Sequence, residues 1–271
     1  MSTLKIIDKL SPLINSVKSK TGIDISNFKP AFLERRVLYR MRILELDNYA
    51  DYLNQLSSTI DEAKMLYIAL SINVTKFFRD PDVWVFLDNI AIPNLIKDLH
   101  PKQISVWSCA CASGEEPHSL SILLGEYYKH KQIPYRILAT DISQKALDHS
   151  KEGVYVDANL IHVSLERLAE NFTQTSDGKF QVKLHLRNKI TYQKINMMKN
   201  ISGTFNIIFC RNVLIYYDKQ THEEIFKMFN SKLKKNGLLV LGQDESMIGT
   251  NGNKLFELLD PKNRVYKKIS T

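Results

Sequence analysis

Apolar positions recur at helical spacing through the first quarter of the chain. Over residues 32–44, Leu33, Val37, Met41 and Leu44 return every three or four positions, which predicts a helix with one buried stripe. On the same segment Arg36 and Arg40 stand four apart and are expected to share a face. Asp47-Asn48-Tyr49 reads as the cap of a following helix that carries Tyr52, Leu53 and Leu56. Asp61 reads as the cap of another, with Met65, Leu66, Ile68, Ala69 and Leu70. Residues 1–72 are therefore expected to form a small all-helical domain.

From about residue 73 the period shortens. Residues 104–108, 135–140, 205–210 and 237–242 are short apolar runs that read as strands. Between and after them, residues 115–129, 143–151 and 221–233 read as helices, the first with Leu120, Leu123, Leu124 and Tyr127 on one side. Strands alternating with helices predict an α/β domain over 73–271, with a parallel Rossmann-like sheet covered on both faces. The turn signal Ser176-Asp177-Gly178-Lys179 breaks the rhythm. Residues 180–184 and 189–192 flank it and alternate like strands, so a small antiparallel β insertion is expected at about 172–193.

Composition narrows the class. With 44% hydrophobic and 24% charged residues the chain can build a packed core. No apolar run approaches the ~20 residues of a membrane span, and MSTLKIIDKL lacks the pattern of a signal peptide. A cytoplasmic protein without membrane insertion is expected, with a monomer as the default. Three cysteines, an odd and small count, fit free thiols in a reducing compartment. Cys109-Ala110-Cys111 has no second cluster to complete a zinc site, so no metal is expected. The formal charge of +8 is either a solvated surface or an attraction to an acidic partner, and charge alone does not choose.

Four constellations carry chemistry. In Ser108-Cys109-Ala110-Cys111-Ala112-Ser113-Gly114-Glu115-Glu116-Pro117, a strand enters a loop of small residues, a glycine and a helix N-terminus. Small residues let a ligand approach the backbone there. The pair Glu115 and Glu116 disfavours a pyrophosphate and suits an amine or hydroxyls; the two acids also simply suit a helix N-terminus. Asp141, in Ala139-Thr140-Asp141-Ile142, lies 27 residues after Gly114, near the ~20-residue offset of a ribose-binding acid. It is equally a candidate helix cap, and one residue can do both. Cys210-Arg211-Asn212-Val213-Leu214-Ile215-Tyr216-Tyr217 brings polar groups to the carboxyl edge of the sheet, where such folds bind ligands. A hydrogen-bonded structural asparagine and a core tyrosine are the alternative there. Asn73-Val74-Thr75-Lys76-Phe77-Phe78-Arg79-Asp80 lies at the domain junction, as a pocket wall or a hydrophobic hinge.

Taken in order and spacing, these blocks resemble the CheR family of chemotaxis protein-glutamate methyltransferases. The resemblance rests on N-x-T-x-F-F-R, G-E-E-P, A-T-D-I and I-F-C-R-N-V-x-I-Y-Y. It is extended by Thr21-Gly22-Ile23-Asp24, Leu33-Glu34-Arg35-Arg36, Gly237-Leu238-Leu239 and Gly242-Gln243-Asp244-Glu245-Ser246. It implies a class I methyltransferase domain, S-adenosylmethionine as donor and S-adenosylhomocysteine as product. By resemblance, Asn73, Thr75 and Arg79 close over the donor, and Glu116, with Glu115, meets its methionine end. Asp141 holds the ribose, Asn196 and Met197 flank the adenine, and Arg211 with Asn212 completes the wall. Arg79 and Tyr216 are the candidates for orienting the acceptor carboxylate. The partner implied is a chemoreceptor's cytoplasmic helices, met by a basic face of Arg35, Arg36, Arg40 and Arg42.

The sequence departs from the family pattern in places. His118 stands where tyrosine is usual, Cys109 and Cys111 where small residues are frequent, and Gln243-Asp244 where His-Ser is usual. The turn Thr175-Ser176-Asp177-Gly178 lacks the Gly-x-Gly loop of members that dock a receptor tail, so a tail-independent enzyme is expected. A nucleic-acid methyltransferase is the first alternative, prompted by charge. Such amino-methylating enzymes typically carry an Asn/Asp-Pro-Pro-aromatic run where this chain reads Arg211-Asn212-Val213-Leu214. A non-catalytic donor-binding module is the second alternative, and no nucleic acid is expected as partner.

Overall fold

A computed structural model describes residues 3–70 and 75–269; the candidate Asn73 lies outside them. The chain divides into two compact units, Met1–Ile72 with Ile215–Thr221, and Asn73–Leu214 with His222–Thr271. The expected second domain, 73–271, is thus interrupted by Ile215–Thr221, which joins the first unit.

In the first unit the helices are α1 (Thr3–Thr21), α2 (Pro30–Ile43), α3 (Tyr49–Ser58) and α4 (Ile60–Ala69). Pro30 opens α2, a position where its missing N–H costs nothing. The stripe of Leu33, Val37 and Met41 is buried, as are Leu10, Leu13 and Val17 of α1, the helix α2 packs on. Asn48 caps α3, its side chain accepting from Asp51 N–H. The cap of α4 is Thr59 rather than the expected Asp61, which stands in the first turn, where an acid also suits the helix dipole. Arg40 corrects the expected basic face. It is buried and donates to both oxygens of Glu62, at 2.9 and 2.6 Å, and Tyr52 Oη donates to the same carboxylate. The reason is visible in the spacing: Arg40 follows Val37 by three and Leu33 by seven, so it lies on the apolar stripe. The late segment is held by Phe28 stacked on Tyr217 and by a hydrogen bond from Lys29 N–H to Tyr216 O.

The second unit opens with α5 (Pro81–Phe86), which runs through the π-helical turn Leu87–Ala91 into α6 (Ile92–Leu99). Then come β1 (Ile104–Cys109), α7 (Glu115–Lys131), β2 (Tyr135–Asp141), α8 (Gln144–Glu152), β3 (Val154–Tyr155), α9 (Leu165–Asn171), β4 (Phe172–Gln174), β5 (Phe180–Val182) and α10 (Leu184–Arg187). They are followed by β6 (Ile190–Lys194), β7 (Phe205–Cys210), α11 (Lys219–Lys232), β8 (Leu233–Leu241), β9 (Phe256–Asp260) and β10 (Val265–Lys268). The main sheet has the order β6-β2-β1-β7-β8-β10-β9. Its first five strands are parallel; β10 and β9 add an antiparallel edge. Every residue of β1 and β7 is buried, as for central strands covered on both faces. The chain leaves β1 for β2 on one side and returns at β7 on the other. That reversal opens a crevice at the carboxyl ends of the strands.

The β insertion is smaller than expected. β4 and β5 form the hairpin, and β3 completes an antiparallel sheet in the order β3-β5-β4. Residues 184–187 turn helically, and Ile190–Lys194 pairs parallel with β2 as the edge of the main sheet. Two-residue alternation marks any half-exposed strand and cannot say which sheet it joins.

Candidate functional site

The carboxyl ends of β1, β2, β6, β7 and β8 bring most of the candidate residues of the second unit together. After β1 the chain takes left-handed backbone at Ala110 (φ 58°), Ala112 (φ 48°) and Gly114 (φ 97°). Alanine in this region costs about 1–2 kcal/mol, and such strain collects where a loop must present its backbone. At Gly114 the glycine is also forced by contact, because a Cβ would lie 1.8 Å from Ser150 Oγ.

Asp141 ends β2 and is buried. One oxygen accepts from Ala112 N–H at 2.9 Å, the other from Ser143 N–H at 2.8 Å. Ser143, not Asp141, caps α8. Burial pushes the Asp141 carboxyl up, opposed by those N–H donors. Each carboxylate oxygen has a second lone pair, so hydroxyls can still be accepted. Asn196 and Met197 follow β6, whose last residue Lys194 is registered with Asp141. Asn196 Oδ1 accepts from Met198 N–H, and Met197 is buried.

The two glutamates part company. Glu116 accepts from Ser108 Oγ at 2.7 Å and lies 3.9 Å from Arg211, with 13% of its side chain exposed. Burial pushes its carboxyl up, opposed chiefly by Arg211. Glu115 is turned into the protein instead, accepting from Ser113 Oγ and Asn159 Nδ2, each at 2.8 Å, and it is buried. Successive helical residues point about 100° apart, so an adjacent pair cannot both meet one ligand group. Glu115 therefore corrects the expected set: it braces the loop.

Arg211 follows β7 and is nearly buried. It donates to Asp80 at 2.6 Å and to Arg79 O at 3.2 Å, and its Nε has no partner among the described residues. Trp84 Nε1 donates to the same Arg79 carbonyl. Phe78 and Asp80, on either side of Arg79, are left-handed. The half-buried Arg79 is thus set by a strained turn pinned from two directions, and Thr75, also half-buried, precedes it. Asn212 is left-handed as well, at φ 60°. Tyr216 belongs to the other unit, where its ring stacks on Phe32 at 4.5 Å.

Sequence reasoning missed Asp80, Ser108, Asn159 and the role of Glu245, whose buried carboxylate accepts from the loop after β7. Asp80, Asn159 and Glu245 act through partners distant in sequence, which no local pattern could signal; Ser108 bonds Glu116 only eight residues on, and the strand-loop-helix turn between them hid the pairing. Among the described residues no group of His, Cys, Asp and Glu is arranged to hold a metal ion, and the three cysteines are buried. No described helix is long and apolar enough to cross a membrane.

The arrangement offers the carboxylates of Glu116 and Asp141 and a loop of small side chains at the strand ends, a set suited to a nucleoside bearing an ammonium and a sulfonium. That donor set fits such a ligand and is wrong for a phosphate. Two family models match the chain: CheR methyltransferase, all-alpha domain, over residues 8–71, and CheR methyltransferase, SAM binding domain, over residues 73–263. The chain is 34% identical to a chemotaxis protein methyltransferase of Borreliella burgdorferi, across 96% of this chain and 94% of the relative. It is 32% identical to a chemotaxis protein methyltransferase of Salmonella typhimurium, across 85% and 81%.

Proposed function

The chain belongs to the CheR methyltransferase family, and from that premise we propose that it methylates glutamate side chains on the cytoplasmic helices of a chemoreceptor. The products are glutamyl methyl esters and S-adenosylhomocysteine. The observation that carries this reading is the acid pair at the strand tips, Glu116 beside Arg211 and Asp141 at the end of β2. When bound, the donor supplies a methyl carbon made electrophilic by its sulfonium. Glu116 takes the ammonium of the methionine end. Asp141 takes the ribose hydroxyls with the lone pairs that Ala112 and Ser143 leave. Asn196 and Met197 flank the adenine, Arg211 and Asn212 form the opposite wall, and Thr75 and Arg79 close over the ligand.

The acceptor needs no general base, because a glutamate is ionised at neutral pH. The protein's task is alignment and exclusion of water. Arg79 orients the acceptor carboxylate; Tyr216, the other candidate by resemblance, belongs to the first unit. That hold must be light, since tight binding of the ground state would slow transfer. For the partner surface, Arg35 and Arg42 are exposed and Arg36 is half-buried. With Arg40 committed to Glu62, these three form the basic face that meets the receptor's acidic helices.

The test is incubation of the full chain with methyl-labelled donor and three acceptors: a receptor cytoplasmic fragment, RNA and DNA. Base-labile label on the receptor alone is expected. Label on nucleic acid, or base-stable label on the receptor, overturns the glutamate reading.

A further inference from the structure

We propose that Glu245 is a positioning residue of the donor site: its carboxylate is the template on which the loop after β7 is shaped. The proposal rests on the reading in which Arg211 and Asn212 wall the donor. Glu245 stands just beyond β8 and is buried. Four main-chain N–H groups converge on it. Oε1 accepts from Val213 at 2.8 Å and Leu214 at 2.6 Å; Oε2 accepts from Asn212 at 3.0 Å and Gly242 at 2.6 Å. Three of these donors are consecutive, at a point where the strand has ended and the ladder no longer satisfies them. Consecutive N–H groups meet one anion only if the backbone curls into a concave nest. The curl here includes the left-handed Asn212.

Gly242 closes the cage from the other side. A Cβ on it would lie 2.8 Å from Asn212 N, 2.8 Å from Glu245 Oε2 and 2.9 Å from Asn212 Nδ2. The backbone of Asn212 is therefore held by Glu245, and its side-chain amide lies close against Gly242. The same loop carries Arg211, which reaches Asp80 and Glu116. A change in the curl moves the wall and the cation beside the acid together. The carboxylate is hard to replace: a glutamine has one acceptor oxygen, and its NH2 would face two of the four N–H donors in a buried site.

The experiment uses the full chain, S-adenosylhomocysteine titration calorimetry and amide hydrogen exchange. Glu245→Gln is expected to weaken binding at least tenfold and to expose the amides of residues 212–214 to exchange, while those of β1 stay protected. Gly242→Ala, which leaves the charge alone, is expected to do the same. A variant with β1 still protected and an affinity within twofold of the parent overturns the proposal, since a merely structural role leaves affinity intact. If both variants fail to fold, the parent decides: the ligand must slow exchange at residues 212–214, and no slowing overturns the proposal. A parent that does not bind the ligand at all removes the donor reading itself, which is a different result.

Discussion

Gly114 is glycine for two separable reasons, its left-handed backbone and the 1.8 Å that a Cβ would leave to Ser150 Oγ. Gly114→Ala is therefore expected to cost about 3 kcal/mol, combining strain with overpacking. Urea unfolding measures this; a change under 1 kcal/mol, given these estimates, rejects the account. His118 poses a different question, that of a titratable ring inside the core. It is fully buried, its Nε2 is 2.9 Å from Ser150 O, and desolvation lowers its pKa from 6.5 to about 4. Between those values the unfolded chain binds the proton and the folded chain does not. The stability from this group is complete above pH 6.5 and is lost as pH falls towards 4, about 3 kcal/mol in all. Glu115, Glu116, Asp141 and Glu245 work the other way, because burial raises their carboxyls and the folded form takes up protons first. Comparing parent with His118→Gln cancels those four. The variant's acid limb between pH 6.5 and 4 is expected to be flatter by that amount, and parallel limbs would count against a neutral buried imidazole.

At the scale of elements, α2 separates two kinds of arginine that spacing alone had grouped. Arg40 lies on the apolar stripe and meets Glu62, a pair with 8% and 5% of its side chains exposed. Removing one partner of such a pair leaves the other charge buried alone. Arg40→Ala is thus expected to lower stability by about 3–5 kcal/mol, so any loss of methylation in it reports folding. Arg35 and Arg42, two helical turns apart on the exposed side, are the proper probes. Arg35→Glu with Arg42→Glu is expected to leave the unfolding midpoint and S-adenosylhomocysteine affinity unchanged while lowering receptor methylation. Equal methylation by the double variant would rule out this face. The helices and the central strands were legible because burial imposes a period on apolar residues. Edges were not: β9 and β10 went unread, and β6 was assigned to the hairpin, because a half-exposed strand carries no mark of its partner. Among the proposed site residues, Asp141, Gly114 and Arg211-Asn212 could be placed at or just beyond strand ends from the sequence. Glu115 could not be told from Glu116, and Glu245 became meaningful only once β8 lay beside β7.

For the whole molecule the net charge of +8 becomes a statement about kinetics rather than fold. Exposed charges act over about a Debye length, ~10 Å at 0.1 M salt. Association with an acidic receptor fragment is therefore expected to slow as salt rises, through the encounter rate. The groups proposed to meet the donor, in contrast, are largely buried: Arg211 has 2% and Glu116 13% of its side chain exposed. Salt screens such contacts far less. Two salt titrations on one preparation separate these effects. Receptor methylation at low substrate is expected to fall several-fold between about 0.05 and 0.5 M salt, while S-adenosylhomocysteine affinity changes less than twofold. The α2 double reversal should flatten the first curve and leave the second alone. If both curves fall together, salt is acting on the donor site and the basic surface is only a solvated one; if the parent's methylation is insensitive to salt, the acidic partner is attracted by something other than charge.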